Sequence, residues 1–106
     1  MSLGALRARP LYRSTHASVS TSGEAFEVRA TSTRPVKAHQ IIIEPSARIF
    51  VGLGTSATPP SPTVNNTVYQ PAQERVYTFD GNDALEKYLY IYAISSTVEV
   101  FISFFG

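Results

Sequence analysis

The chain has 106 residues, a net charge of +1, 43% apolar and 16% charged side chains, a length that fits one domain with a real core. The charged share lies below the usual value of about 25%, which suits a surface that is partly covered in the working state. There is no cysteine, which excludes a disulfide frame or a thiolate metal site, and no apolar run nears the roughly 18 residues of a membrane-spanning helix.

Charge is uneven along the chain. Residues 1–53 hold seven basic and three acidic side chains, residues 54–106 two and five. Halves of opposite sign either favour head-to-tail contact between copies or mix on the folded surface. Residues 1–14 carry Arg7, Arg9 and Arg13 and read as an extended basic arm. Its arginines suit acidic protein or phosphate, but three are few for a nucleic-acid site, which draws a denser patch. A mobile terminus is the alternative reading. No apolar signal-peptide core follows the first ten residues, so the sequence predicts a chain made in the cytoplasm and kept or assembled there.

Residues 15–21 form a candidate strand with Ala17 and Val19 on one face, closed by a Ser22-Gly23 turn. Residues 25–32 alternate, with Phe26, Val28 and Ala30 inward and Glu27 and Arg29 outward, the pattern of a half-buried strand. After Arg34-Pro35, residues 39–44 hold the run Ile41-Ile42-Ile43, and Pro45-Ser46 turns the chain into a further strand over 48–53. These two strands are expected to pair as a hairpin, with Gly52 and Gly54 at its end. Residues 55–66 are a loop stiffened by Pro59, Pro60 and Pro62, long enough to predict a contact role. Short strands follow over 67–70 and 74–79, Asp80-Gly81-Asn82-Asp83 is a turn, and residues 84–87 fit one helical turn.

The densest β-signal is the final stretch, 88–106. Two runs rich in β-branched and aromatic residues are split by Ser95-Ser96, which predicts a β-hairpin. Tyr88, Tyr90 and Tyr92 share one face and Leu89, Ile91 and Ala93 the other. On the second run Val98, Val100, Ile102 and Phe104 oppose Glu99, Phe101, Ser103 and Phe105. Both faces carry apolar or aromatic groups, which a strand with one face in water does not need. One face is expected in the core, the other under a second layer of this chain or under a partner chain. About eight short strands at this spacing predict an all-β fold: an antiparallel two-sheet β-sandwich, jelly-roll-like, over residues 15–106, with an open barrel as the alternative.

No catalytic motif emerges. His16 and His39 lie far apart with no third ligand, and Asp80, Asn82 and Asp83 start like a calcium loop without its downstream acid. No nucleophile elbow, phosphate loop or positioned carboxylate pair occurs. The expectation is a non-enzymatic protein with no cofactor and no metal. The row Tyr88, Tyr90, Tyr92 has three readings: a lining of the inter-sheet core, a protein interface, or a platform on which sugar rings stack.

The order of pieces resembles the small β-sandwich virion proteins of tailed bacteriophages, the decoration, cement and head-completion proteins. The likeness runs from the Ile-Ile-Ile strand through Ile49-Phe50-Val51-Gly52, Gly54-Thr55-Ser56-Ala57-Thr58, the proline loop and Tyr69-Gln70-Pro71 to Leu89-Tyr90-Ile91-Tyr92 and Ser96-Thr97-Val98-Glu99-Val100, about residues 38–103. It is a pattern of strands and turns. It implies a non-enzymatic virion structural protein that binds an assembled shell in many copies, as a homo-oligomer, next to the major capsid or other virion proteins. The apolar-run lengths predict no membrane partner, and the sparse arginines argue against nucleic acid. The expected contacts are the arm (Arg7, Arg9, Arg13), the loop (Pro59, Pro60, Pro62) and the aromatic face (Tyr88, Tyr90, Tyr92, Phe101, Phe105). The alternative is a carbohydrate- or receptor-binding sandwich that uses the tyrosine row.

Overall fold

The computed structural model describes residues 11–28, 40–78 and 87–105. Eight strands run through them: β1 (Leu11–Val19), β2 (Glu24–Glu27), β3 (Gln40–Pro45), β4 (Ile49–Gly54), β5 (Val68–Gln70), β6 (Arg75–Thr78), β7 (Tyr88–Ala93) and β8 (Val98–Phe105). They form two four-stranded antiparallel sheets, ordered β1-β8-β3-β6 and β2-β7-β4-β5. The pairs β1:β8, β2:β7, β3:β6 and β4:β5 are nested about the β4–β5 connection. The chain thus pairs like one long hairpin rolled into two layers, and β8 against β3 and β7 against β4 complete the sheets. That is the jelly-roll sandwich expected from the strand spacing.

Alternation explains why the layers meet where they do. Val98, Val100, Ile102 and Phe104 of β8 point inward and are buried, as are Ile41 and Ile43 of β3 and Val19 of β1. Across from them lie Ile49 and Val51 of β4 and Leu89, Ile91 and Ala93 of β7. Each of the larger side chains, Val, Leu, Ile or Phe, is worth roughly 1.5–3 kcal/mol when removed from water. Phe26 packs on the rim of this core and Val28, just past β2, is buried within it. Ile42 and Phe105 belong to the outward side of the first sheet yet are buried as well.

Two expected hairpins do not form. β7 and β8, split by Ser95-Ser96, lie in different sheets, as do β3 and β4 around Pro45-Ser46. Each connection crosses between layers, because a strand apolar on both faces is best buried at the centre of a sheet rather than paired with its sequence neighbour at an edge. The first strand begins at Leu11 rather than at residue 15, so Arg13 lies in a strand and not on an arm. Ala30, Arg29, Phe79, the Asp80–Asp83 turn and all but Lys87 of the helical turn lie outside the described residues.

Candidate functional site

The tyrosine row sits at the centre of the second sheet's outer face, and the proline loop lies over it. Tyr90 is 3% and Tyr92 1% exposed; Tyr88, at the strand's start, is half-buried. Tyr90 Oη donates to the Ser56 carbonyl at 2.6 Å and accepts from the Ser56 N–H at 3.1 Å. Tyr92 Oη donates to the Pro60 carbonyl at 2.7 Å. Glycines make room for the rings. A Cβ on Gly54 would lie 2.6 Å from Tyr90 Cε2, and one on Gly23, whose φ is +88°, would meet the Tyr92 ring. Burial raises the Tyr92 pKa above the ordinary tyrosine value, and the neighbouring Tyr90 adds to the rise.

The cover foreseen for the second face of this strand is therefore a layer of the same chain. The row offers no stacking platform to a sugar and no open interface, which corrects the placing of Tyr90 and Tyr92 among contact residues. The loop is braced within itself: Asn66 Oδ1 accepts from the Thr63 N–H at 2.7 Å, and Thr67 Oγ1 donates to the Thr63 carbonyl at 2.7 Å. Pro60 and Pro62 stay exposed on it, and Pro59 is half-buried.

The remaining expected contact residues are scattered. Arg7 and Arg9 lie outside the described residues. Arg13 turns inward, its guanidinium 4.1 Å from the centroid of Phe104 and its Nη2 donating to the Glu27 carbonyl at 2.5 Å, so it ties β1 to β2 across the sandwich. Phe105 is 1% exposed and presents nothing to a partner. Phe101 alone among the aromatic candidates of β8 is open, at 55%. His16 stacks on it, with ring centroids 4.4 Å apart and planes 10° from parallel. The same imidazole meets Glu99 Oε2 at 2.9 Å, and Ser18 Oγ donates to Glu99 Oε1 at 2.7 Å.

A more coherent surface surrounds β5 on the opposite side of the sandwich. Gln70, fully buried, spans the two sheets there: its Nε2 donates to the Ile43 carbonyl at 2.9 Å and the Gln73 carbonyl at 3.1 Å, and its Oε1 accepts from Tyr77 Oη at 2.8 Å. Burial raises the Tyr77 pKa, against the lowering influence of Arg75. Beyond this clamp the sheets part into a cleft of about 420 Å³ walled by Val51, Leu53, Val68 and Leu89, with Asn65, Asn66, Thr67, Tyr77 and Thr78 at its rim. On the other side of β5 a depression of about 370 Å³ lies among Phe50, Pro62, Thr63, Val64, Thr67 and Tyr69.

Among the described residues, four of the six exposed large hydrophobic ones, Leu53, Val64, Val68 and Tyr69, lie in these two hollows, with Val64 93% exposed at the loop tip. Among the described residues no charged side chain lines either hollow. Contiguous exposed apolar surface of this kind marks a binding site more often than scattered residues do. Sequence reasoning reached this surface through the loop over residues 55–66, which supplies Pro62, Thr63, Val64, Asn65 and Asn66, and missed Phe50, Leu53, Val68 and Tyr69. The available signal was Val64, the one large aliphatic side chain in an otherwise small, polar and proline-rich loop. Among the described residues no group of three histidine, cysteine, aspartate or glutamate side chains is placed to hold a metal ion. His39, Asp80 and Asp83 are not among them. Neither a family model, nor a curated protein, nor a solved structure matches the chain.

Proposed function

We propose that the chain is a non-enzymatic structural protein that attaches to an assembled viral shell, as a decoration, cement or head–tail component, and docks through the apolar surface around β5. The observation that carries the docking is the gathering of Leu53, Val64, Val68 and Tyr69 in two hollows flanking one edge strand, whose described lining residues carry no charge. An interface core is depleted in charge and enriched in aromatic anchors, and Tyr69 between Phe50 and Pro62 supplies such an anchor. The braced loop presents Val64 in a fixed place, so little ordering cost opposes binding.

The shell part draws on two supports. One is the jelly roll, a fold that capsid domains share with lectins and cupins. The other is the strand-and-turn likeness over residues 38–103. Repetition over a shell multiplies a modest contact into firm attachment. The test is quantitative mass spectrometry of gradient-purified particles from cells that make the chain. The expected result is the chain at a fixed, many-copy ratio to the shell protein, with occupancy lost in the Val64→Ser/Tyr69→Ser variant at an unchanged unfolding midpoint. Absence from particles overturns the shell reading, and unchanged occupancy in the variant overturns the docking surface.

A further inference from the structure

Among the described residues four strands are sandwich edges: β1 and β6 in one sheet, β2 and β5 in the other. Three of them are short, with four, four and three residues for β6, β2 and β5. Short edges are one of the ways natural sheets avoid pairing with other chains. β1 departs from this, with nine residues. It stays in unbroken register with β8 from Arg13 to Val19, the one irregularity falling between Leu11 and Arg13. Leu11–Val19 contains no proline, lysine, aspartate or glutamate, the residues that usually blunt an edge. Among the described residues its one strand partner is β8.

The side chains on its outer face also lean away from the edge. His16 lies on Phe101, and Ser18 reaches Glu99, both residues of β8. Among the described residues no second strand pairs with the far side of residues 14–18. Arg13, its one fixed cation, is turned into the sandwich over Phe104.

We propose that β1 is the pairing edge for a second copy of this chain, the two β1 strands joining antiparallel across a twofold axis so that two four-stranded sheets become one of eight. An antiparallel pair of identical strands is self-complementary by symmetry. An axis through His16 sets Ser14 opposite Ser18 of the other copy and Thr15 opposite Ala17, so that small, uncharged side chains face one another on both sides of the sheet. The two imidazoles at the axis are each held back on their own Phe101 beside their own Glu99. Seven residues of ladder make a small interface beside the roughly 800 Å² per partner of a standard one, so the association depends on concentration. This inference does not rest on shell binding.

The test is sedimentation equilibrium of the purified full chain over a wide concentration range, without particles. The wild type is expected to form a dimer. Ser14→Lys/Ser18→Lys places ammonium groups opposite each other twice across the axis and is expected to weaken dimerisation about tenfold. Ser14→Glu/Ser18→Lys places a carboxylate opposite an ammonium twice and is expected to restore it. Because the restoring variant shares the Ser18→Lys change, recovery also shows that the substitution leaves the fold intact. A wild type that stays monomeric overturns the proposal, as does a dimer indifferent to the charge pairs or one that the second variant fails to restore. None of these outcomes touches the particle-stoichiometry experiment.

Discussion

Tyr90 Oη both donates to and accepts from the backbone of Ser56, 34 residues away in sequence, at 2.6 and 3.1 Å. One phenol thus satisfies both polar groups of a loop residue at the centre of a sheet's outer face. Tyr92 Oη adds a single donated bond, to the Pro60 carbonyl at 2.7 Å. The loop over residues 55–66 is a fixed layer of the sandwich because of these two hydroxyls, and it is this layer that positions Val64 beside Tyr69.

Removing the two hydroxyls tests that relationship without disturbing the aromatic packing. Tyr90→Phe/Tyr92→Phe deletes the two bonds to Ser56 and the one to Pro60, each worth about 0.5–1.5 kcal/mol net. The expected outcome is a fold that persists but loses about 1.5–4.5 kcal/mol in urea unfolding. Protease cleavage within residues 55–66 should rise more than cleavage elsewhere, and particle occupancy should fall with it.

Gln70 holds the two sheets together at the β5 side with three hydrogen bonds from one buried amide. Gln70→Leu keeps the volume and strands Tyr77 Oη and the Ile43 and Gln73 carbonyls. A loss of about 2–3 kcal/mol is expected, read as a lower denaturant midpoint at unchanged slope.

Gly54 gives the Tyr90 ring its space. A methyl group there would stand 2.6 Å from both Cε2 and Oη of that ring. Gly54→Ala should therefore cost about 1–3 kcal/mol through overpacking. The same substitution should cost much less in a Tyr90→Ala background, and this non-additivity in thermal or urea unfolding is the measurement that checks it.

Tyr77 and Tyr92 both have pKa values raised by burial from the ordinary 10.0. A raised folded value means that the fold favours the neutral phenol. Their contribution is fully present below pH 10 and is lost as pH rises through the folded-state values. Stability should thus fall on the alkaline side of pH 10, and the fall should be shallower in Tyr92→Phe. Ultraviolet titration of the phenolate band should show these two tyrosines ionising late, together with unfolding.

Much of the strand content was legible because β-structure writes a period of two into its side chains. Val98, Val100, Ile102 and Phe104 could be assigned to one face from spacing alone, and the structure buries all four. The paired apolar faces of residues 88–93 likewise announced a covered strand. The site was much less legible. Leu53 and Val68 look like ordinary strand residues; they are exposed because the sheets part beside β5 and β6. Phe101 and Phe105 occupy equivalent positions on one face of one strand, yet one is open and the other closed.

By itself, then, the sequence determined most of the extended segments and which side chains share a face, and it favoured a two-sheet sandwich over an open barrel without deciding between them. Alternation is a local property, read within a few residues. Only the tertiary structure decided which strands are neighbours and what lies over the tyrosines. Leu11 pairs with Phe105, and Ser56 and Pro60 find Tyr90 and Tyr92 over thirty residues away. Such partners are chosen by the packing of the whole chain. A crossing at Ser95-Ser96 and a hairpin there use the same residues, and only the burial of both faces of β7 at a sheet's centre favours the crossing.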